Sequence, residues 1–312
     1  MSPAGRIESG REWMVCGASV VGSEHRRRGL GCDDAYSYGV LGDFLVAAVA
    51  DGAGSVTGTS AWGAYVACRG VLKDGLNPEF VDRFRAASAA EATQLLRSLF
   101  DGALERVYRQ AASMNLDAAL LSTTLSVGLA DPRMAAFGQV GDGIIATERG
   151  EAIETVLIEH KDGYANTTSF LQSERALDDS FRTTSHAGVS AFALSTDGLT
   201  YKITDVATGA AYQPFFRGSW QHVRAGARSG QLQEMLGTIE DDQTGDDKTL
   251  VLAALGDNAH AAAPETMRWA HSGAPGSPDE TGESGAGGEV HDAEQTQPAA
   301  SVRRSRWGRW LR

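Results

Sequence analysis

Cysteine is scarce in this chain: of 312 residues, only Cys16, Cys32 and Cys68 carry a thiol. Their number is odd and their spacing does not match that of zinc ligands, so neither a disulfide framework nor a structural zinc is expected to organise the fold. They read as reduced thiols, mostly small buried hydrophobes. No Cys-x5-Arg loop surrounds any of them, which excludes a phosphate-cradling cysteine nucleophile. Long apolar runs are missing too. Phe44 to Ala50 is far too short to span a bilayer, and Met1 to Arg11 lacks the apolar stretch of a signal peptide. Positive charge is in deficit, with 28 Lys and Arg against 40 Asp and Glu and a net charge of −12. That balance argues against a nucleic-acid surface as the main function. The expectation is a soluble, cytoplasmic protein with no nucleic-acid partner. An acidic protein that handles an anionic substrate needs a local cation to overcome its own field.

What remains is ordinary for a globular chain, 42% hydrophobic and 22% charged, and long enough for one large domain or two small ones. No internal repeat is present. Composition shifts after about Leu255, and residues 257–302 are rich in Ala, Gly, Ser, Pro and Glu with few bulky apolar side chains. Such a segment buries too little surface to offset its ordering entropy, so it is expected to be a disordered linker. The chain ends in Arg303-Arg304-Ser305-Arg306-Trp307-Gly308-Arg309-Trp310-Leu311-Arg312. This basic Arg/Trp tail, 303–312, is either a solvated end or a docking peptide for an acidic protein or an anionic membrane surface. Residues 1–11 form an N-terminal segment, which leaves 12–256 as the folded domain.

Within that domain, strand-like runs cover Trp13–Ser19, Asp43–Ala50, Thr123–Ala130, Arg133–Val140, Ile144–Thr147, Ala152–Ile158, Val189–Ser195 and Thr249–Leu255. Asp131-Pro132 marks a hairpin turn. Helical pattern is strongest over Ser60–Leu76 and Glu91–Met114, separated by Asn77-Pro78, with weaker helical stretches over Pro78–Arg85 and Gly226–Leu236. Hairpin-like strand runs with helices inserted in blocks point to α+β rather than a doubly wound fold.

Four Asp-centred turns punctuate these elements: Cys32-Asp33-Asp34, Val49-Ala50-Asp51-Gly52, Val140-Gly141-Asp142-Gly143 and Ser195-Thr196-Asp197-Gly198. An acidic pair, Asp246-Asp247, precedes Lys248-Thr249-Leu250. Three of the turns close an apolar, strand-like run, so distant carboxylates can meet at one rim. Oxygen ligands of this kind suit magnesium, manganese or calcium. Two such ions about 3.5–4 Å apart can activate a water and polarise a phosphoryl oxygen. Taken singly, an Asp-Gly is more often a plain turn. A dinucleotide fold, suggested by Gly52-Ala53-Gly54-Ser55-Val56-Thr57-Gly58 after a strand, has the wrong glycine spacing and a repulsive Asp51 beside any pyrophosphate.

Taken in order, the turns resemble the metal-dependent PP2C (PPM) family of serine/threonine protein phosphatases across nearly all of residues 15–255, in a divergent bacterial branch. Val49-Ala50-Asp51-Gly52 looks like its Asp-Gly motif, Cys32-Asp33-Asp34-Ala35 like its earlier acidic motif, and Ser122-Thr123-Thr124-Leu125 like its Gly-Thr-Thr strand start. Val140-Gly141-Asp142-Gly143 is similar to Val-Gly-Asp-Ser, Leu194 to Leu199 to the Ser-Asp-Gly-Leu segment, and Asp246-Asp247-Lys248-Thr249 to Asp-Asn-x-Thr. Asp162 to Leu171 also resembles a segment of the bacterial branch.

The resemblance implies a four-layer α/β/β/α sandwich of two antiparallel sheets with metals at one end. It implies two divalent ions, Mn2+ or Mg2+, with a weaker third. Asp51 would bridge both metals, the Gly52 carbonyl would ligate one, and Asp197 and Asp246 would complete the central set. Asp33 and Asp34 are alternative outer ligands, and Asp142 would help hold the third ion. His25, Arg26, Arg27 and Arg28 are the candidates for binding phosphate or orienting the attacking water; a guanidinium fork suits a phosphate. The implied activity is hydrolysis of phosphoserine or phosphothreonine on proteins, in a serine/threonine kinase pathway. The alternative is a catalytically silent sensory or scaffold module of the same fold. Two departures stand out: Ala53 occupies the position where some members carry a proton-donating His, and Asp247 replaces the usual Asn.

Overall fold

The computed structural model describes residues 11–53, 58–159, 168–205, 207–240, 243–257, 267–276 and 281–284. The basic tail 303–312, most of the Asp162–Leu171 segment and part of the glycine run after Asp51 lie outside the described residues.

In chain order the elements are β1 (Arg11–Val20), α1 (Ser23–Arg27), β2 (Ala35–Leu41), β3 (Phe44–Ala50), α2 (Ser60–Gly75), α3 (Pro78–Ala86) and α4 (Ala89–Ser113). There follow β4 (Leu125–Ala130), β5 (Met134–Val140), β6 (Ile144–Arg149), β7 (Ala152–Leu157), α5 (Ala176–Asp179), β8 (Arg182–Ala187) and β9 (Val189–Ser195). The chain continues with α6 (Thr200–Ile203), α7 (Gln213–Arg224), α8 (Ser229–Thr238), β10 (Lys248–Asp257), β11 (Met267–Ser272) and β12 (Thr281–Ser284). One sheet runs β1-β10-β9-β6-β7 and the other β12-β11-β2-β3-β4-β5-β8, and every strand pairing is antiparallel.

Strand period sets the layers. Along β3, Val46, Ala48 and Ala50 face a core shared with α2, α3 and α4, while Leu45, Ala47 and Val49 face the second sheet. β10 divides the same way: Val251 and Ala253 point between the sheets, and Leu250, Leu252 and Ala254 meet Phe216, Trp220 and Leu236 of α7 and α8. Three apolar cores between four layers make the expected α/β/β/α sandwich. Aromatic rings fill the central one, where Phe192 lies edge-on to Trp13 at 5.6 Å and to Phe137 at 5.3 Å.

Local signals fix the helix ends. Asn77 caps α3 by accepting the Glu79 N–H, with Pro78 in the first turn. Ser88 and Glu91 form a reciprocal capping box at the start of α4.

The expected linker over 257–302 needs correction, because β11 and β12 lie inside it. Composition averaged over that stretch hides the run Met267-Arg268-Trp269-Ala270-His271-Ser272. Pairing with the free edge of β2 supplies backbone partners that an isolated segment would lack. Ala270 is buried, the Trp269 ring lies beneath the Arg69 guanidinium of α2, and Ser272 Oγ accepts the Tyr36 N–H at 3.3 Å. The last predicted helix is also displaced: α7 ends before Gly226, whose φ of +85° breaks it, and α8 begins at Ser229.

The fully buried Phe192 ring fills the inter-sheet core. Phe192→Ala should therefore lower unfolding stability in urea by about 3–5 kcal/mol. A loss below about 1 kcal/mol would mean that the two sheets are not tightly packed there.

Candidate metal centre

Both sheets deliver their acidic turns to one end. Asp34 immediately precedes β2 and Asp51 immediately follows β3, and the register pairs Ala35 with Ala50, so the two carboxylates flank one strand junction. In the other sheet Asp197 follows β9 and Asp246 precedes β10, strands that pair through Ser195 and Leu250. Asp142 sits in the crossover from β5 in one sheet to β6 in the other.

Asp51, Asp197 and Asp246 each place a carboxylate oxygen so that all three atoms lie within 4.8 Å of one another, half-buried. Burial pushes the Asp51 carboxyl well up, and the charges of Asp34, Asp197, Asp246 and Asp142 push it further. Asp34 is likewise driven well up by burial and then by Asp247 and Asp246. Converging oxygen anions that repel in this way match hard divalent cations, which need several carboxylates to neutralise them. The residues present fit such ions, with Asp51, Asp197 and Asp246 as the central donors.

Asp33 and Asp34, alternatives in the sequence, separate in space. The Asp34 charge acts on Asp51, and its Oδ2 accepts the Thr196 hydroxyl at 2.8 Å. Thr196 Oγ1 in turn accepts the Thr249 N–H at 3.1 Å, so a threonine of one sheet steadies a carboxylate of the other. Asp33 Oδ2 instead accepts the Ser60 hydroxyl at 2.7 Å, at the start of α2. Burial pushes its carboxyl up, and Ser60, His25 and Arg28 pull it back. Asp142 accepts the Thr168 hydroxyl at 2.8 Å.

Glycines allow this crowding. A Cβ on Gly52 would sit 2.7 Å from the Asp33 carbonyl oxygen and 2.8 Å from the Ser60 carbonyl carbon. One on Gly198 would lie 1.9 Å from the Asp247 carbonyl oxygen. The Gly after each Asp is therefore demanded by backbone approach. The Asp51 carbonyl is anchored as well, accepting the Thr124 N–H at 2.8 Å and the Thr123 hydroxyl at 2.9 Å.

The basic loop resolves unevenly. Arg26, Arg27 and Arg28 are exposed. Arg27 is paired to Glu24, whereas the Arg28 charge reaches Asp33. His25 is not a surface residue: it is 5% exposed and its Nδ1 lies 2.9 Å from Asp247 Oδ2. Arg182, which no motif marked, donates to the Gly141 carbonyl at 2.6 Å and to Gln139 Oε1 at 3.0 Å, bracing the Asp142 turn. Among the thiols, burial pushes Cys16 up to about 12, and Cys32 and Cys68 also stand well above the ordinary value through burial first. None is a poised nucleophile.

A family model described as protein phosphatase 2C matches residues 21–237. The chain belongs to the protein phosphatase 2C family. Among curated phosphatases it is similar to serine/threonine-protein phosphatase 3 of Escherichia coli (strain K12), 27% identical over 256 residues that cover 77% of this chain and 98% of that one. Three solved structures show the same 2C fold at low identity. A protein of the bacterial stressosome, a modular system adapted to control secondary messenger signalling, has a TM-score of 0.51 at 14% identity, covering 78% of this chain and 99% of its own. The S. agalactiae serine/threonine phosphatase has a TM-score of 0.50 at 12% identity over 78% and 99% of the two chains. A substituted bacterial serine phosphatase has 0.50 at 20% over 79% and 99%. No helix among the described residues is long and apolar enough to cross a membrane.

The raised carboxyls fix a sign for pH. Without metal, folded Asp51 and Asp34 bind protons more tightly than their unfolded forms, so stability falls as pH rises from the ordinary carboxylate range towards the raised values. Scanning calorimetry in a chelator should give a higher Tm near about pH 5 than near about pH 8. Saturating Mn2+, which binds the deprotonated ligands, should remove or reverse that slope. Equal slopes with and without Mn2+ would contradict the assignment.

Proposed function

We propose that this chain is a metal-dependent protein-serine/threonine phosphatase that acts on phosphoserine and phosphothreonine in the cytoplasm. The observation that carries this reading is the group Asp51, Asp197 and Asp246, three oxygen donors within 4.8 Å drawn from turns 195 residues apart in sequence at the extremes. Such convergence suits a divalent cation, and family membership supplies the reaction class.

Divalent ions bound there, Mn2+ or Mg2+, would supply an activated water for attack on phosphorus and would take up charge on the phosphoryl oxygens. The protein's own share is positional. Asp51, Asp197 and Asp246 would hold the ions; Asp34, fixed by Thr196, would be the outer ligand in preference to Asp33; Asp142, whose turn Arg182 braces, would help hold a third ion. Gly52 brings its backbone into the centre beside Asp33 and Ser60. Of the three exposed arginines, Arg27 is engaged by Glu24, and Arg28, whose charge reaches Asp33, is the one we assign to the phosphate. With Ala53 at the position some members give to His, the leaving oxygen takes its proton from solvent. Phosphoprotein substrates of this class are made by serine/threonine kinases.

Hydrolysis of a phosphothreonine peptide and of p-nitrophenyl phosphate should require Mn2+ or Mg2+. Asp51→Asn should lower kcat/KM by about 10²–10³-fold or more, the scale of a lost charge-stabilising group. If the pure protein shows no turnover above the Asp51→Asn control, the enzyme reading fails. The fold would then serve as a silent sensory or scaffold module.

A further inference from the structure

Asp247 stands where the family pattern has Asn, and the structure shows what the extra charge does. Its side chain is 1% exposed and its two oxygens take separate partners. Oδ1 accepts the Gly22 N–H at 2.6 Å, and Oδ2 accepts the Asp33 N–H at 2.6 Å and lies 2.9 Å from His25 Nδ1. Gly22 and Asp33 are the two ends of the loop that contains α1 and Arg26–Arg28. One carboxylate therefore closes both ends of that loop, and His25 ties in its middle. Further bonds seat the loop on the Asp246 turn. The Glu24 N–H donates to the Gly245 carbonyl at 2.9 Å, and a Cβ on Gly22 would lie 2.3 Å from the Asp246 carbonyl carbon. The Leu30 N–H donates to the His25 carbonyl at 2.9 Å, folding the loop back on itself.

An amide cannot replace this acceptor. Asn offers one acceptor oxygen and one NH2, whereas two backbone N–H groups approach opposite sides of the head group. One of them would face a donor in a buried site, which is unfavourable. Against the acceptor-only carboxylate, His25 serves Asp247 as an Nδ1–H donor, and the ring is oriented by that bond.

We propose that His25 and Asp247 are positioning residues: a buried clasp that holds the arginine loop and the Asp33-Asp34 turn in register with the ligand Asp246. This rests on the phosphatase reading for its effect on substrate, and on the carboxylate geometry alone for its effect on metal. The clasp acts beyond the ligands themselves, where loss of a supporting hydrogen bond typically lowers metal affinity or activity about 10–100-fold.

The test uses the full chain and the variants His25→Ala, His25→Asn and Asp247→Asn. For each, Mn2+ affinity is measured by titration calorimetry of the metal-free protein. KM and kcat are measured on a phosphothreonine peptide, and Tm is recorded alongside. Asp247→Asn and His25→Ala should weaken Mn2+ binding and raise KM, each by about tenfold or more. His25→Asn keeps a donor close to the Nδ1 position and should recover both to within about threefold of the parent. Two outcomes overturn the proposal. His25→Asn as impaired as His25→Ala would mean that ring volume matters and the hydrogen bond does not. A lower Tm in all three with parental Mn2+ affinity and KM would mean that the clasp only stabilises the fold. If the parent protein shows no turnover, the Mn2+ isotherms still decide between these results, so failure of the clasp is distinct from failure of the phosphatase reading.

Discussion

Repulsion among the carboxylates at one end of the sandwich is the constraint on which the rest depends. At a separation of 4.8 Å two unit charges in an effective dielectric of about 20 repel by roughly 3–4 kcal/mol, and three such pairs exist within the central group. A chain left to itself would turn these side chains apart. They are held because each sits within two residues of a strand end in a sheet whose cores are packed on both faces. Both sheets supply the central acids: Asp51 from one, Asp197 and Asp246 from the other. The stacking of the sheets through Trp13, Phe137 and Phe192 is thus a condition of that convergence as well as of stability.

Around that centre the structure places donors to limit the strain. Thr196 serves Asp34, Ser60 serves Asp33, Thr168 serves Asp142, and the Asp51 backbone is pinned by Thr123 and Thr124. Each bond joins residues far apart in the chain or in different elements. Arg182 braces the Gly141 carbonyl from the edge strand β8, and the Asp247 carboxylate gathers two backbone amides and His25. Hydroxyls, one guanidinium and one buried carboxylate therefore form an outer layer that aims the inner acids. Close backbone approach also explains the Gly that directly follows Asp51 and Asp197. Gly52 and Gly198 are packed against the backbone of the neighbouring acidic turns, and any Cβ would force those turns apart.

The inner acids were legible in the sequence because each is a short motif beside an apolar run: Asp51 and Asp197 follow one and are followed by Gly, and Asp246 precedes one in an Asp-Asp pair. Strands β3, β4, β5, β9 and β10 were legible for the same reason, their alternation or apolarity marking faces buried on both sides. The outer layer was not legible. Thr196 to Asp34 spans 162 positions and Asp33 to Asp247 spans 214, and no local pattern encodes such pairs. Asp247 read as a departure from a motif, and only the donors gathered on its carboxylate reveal a role. β2, with Tyr36, Ser37, Tyr38 and Gly39 interrupting its apolar residues, lacked a clear period, and β8 is a polar edge strand paired on one side. α7 begins with Pro214 in its first turn, which reads as a breaker although its missing N–H has no helical partner there to lose. β11 was hidden by the composition of the segment around it, since its order comes from pairing with β2.

The most direct measurement is anomalous diffraction at the manganese edge from crystals equilibrated with Mn2+. Difference peaks are expected in contact with the carboxylate oxygens of Asp51, Asp197 and Asp246, with loss of those peaks in Asp51→Asn crystals. A map without density among these three side chains, or with its strongest peak elsewhere on the protein, would contradict the assignment.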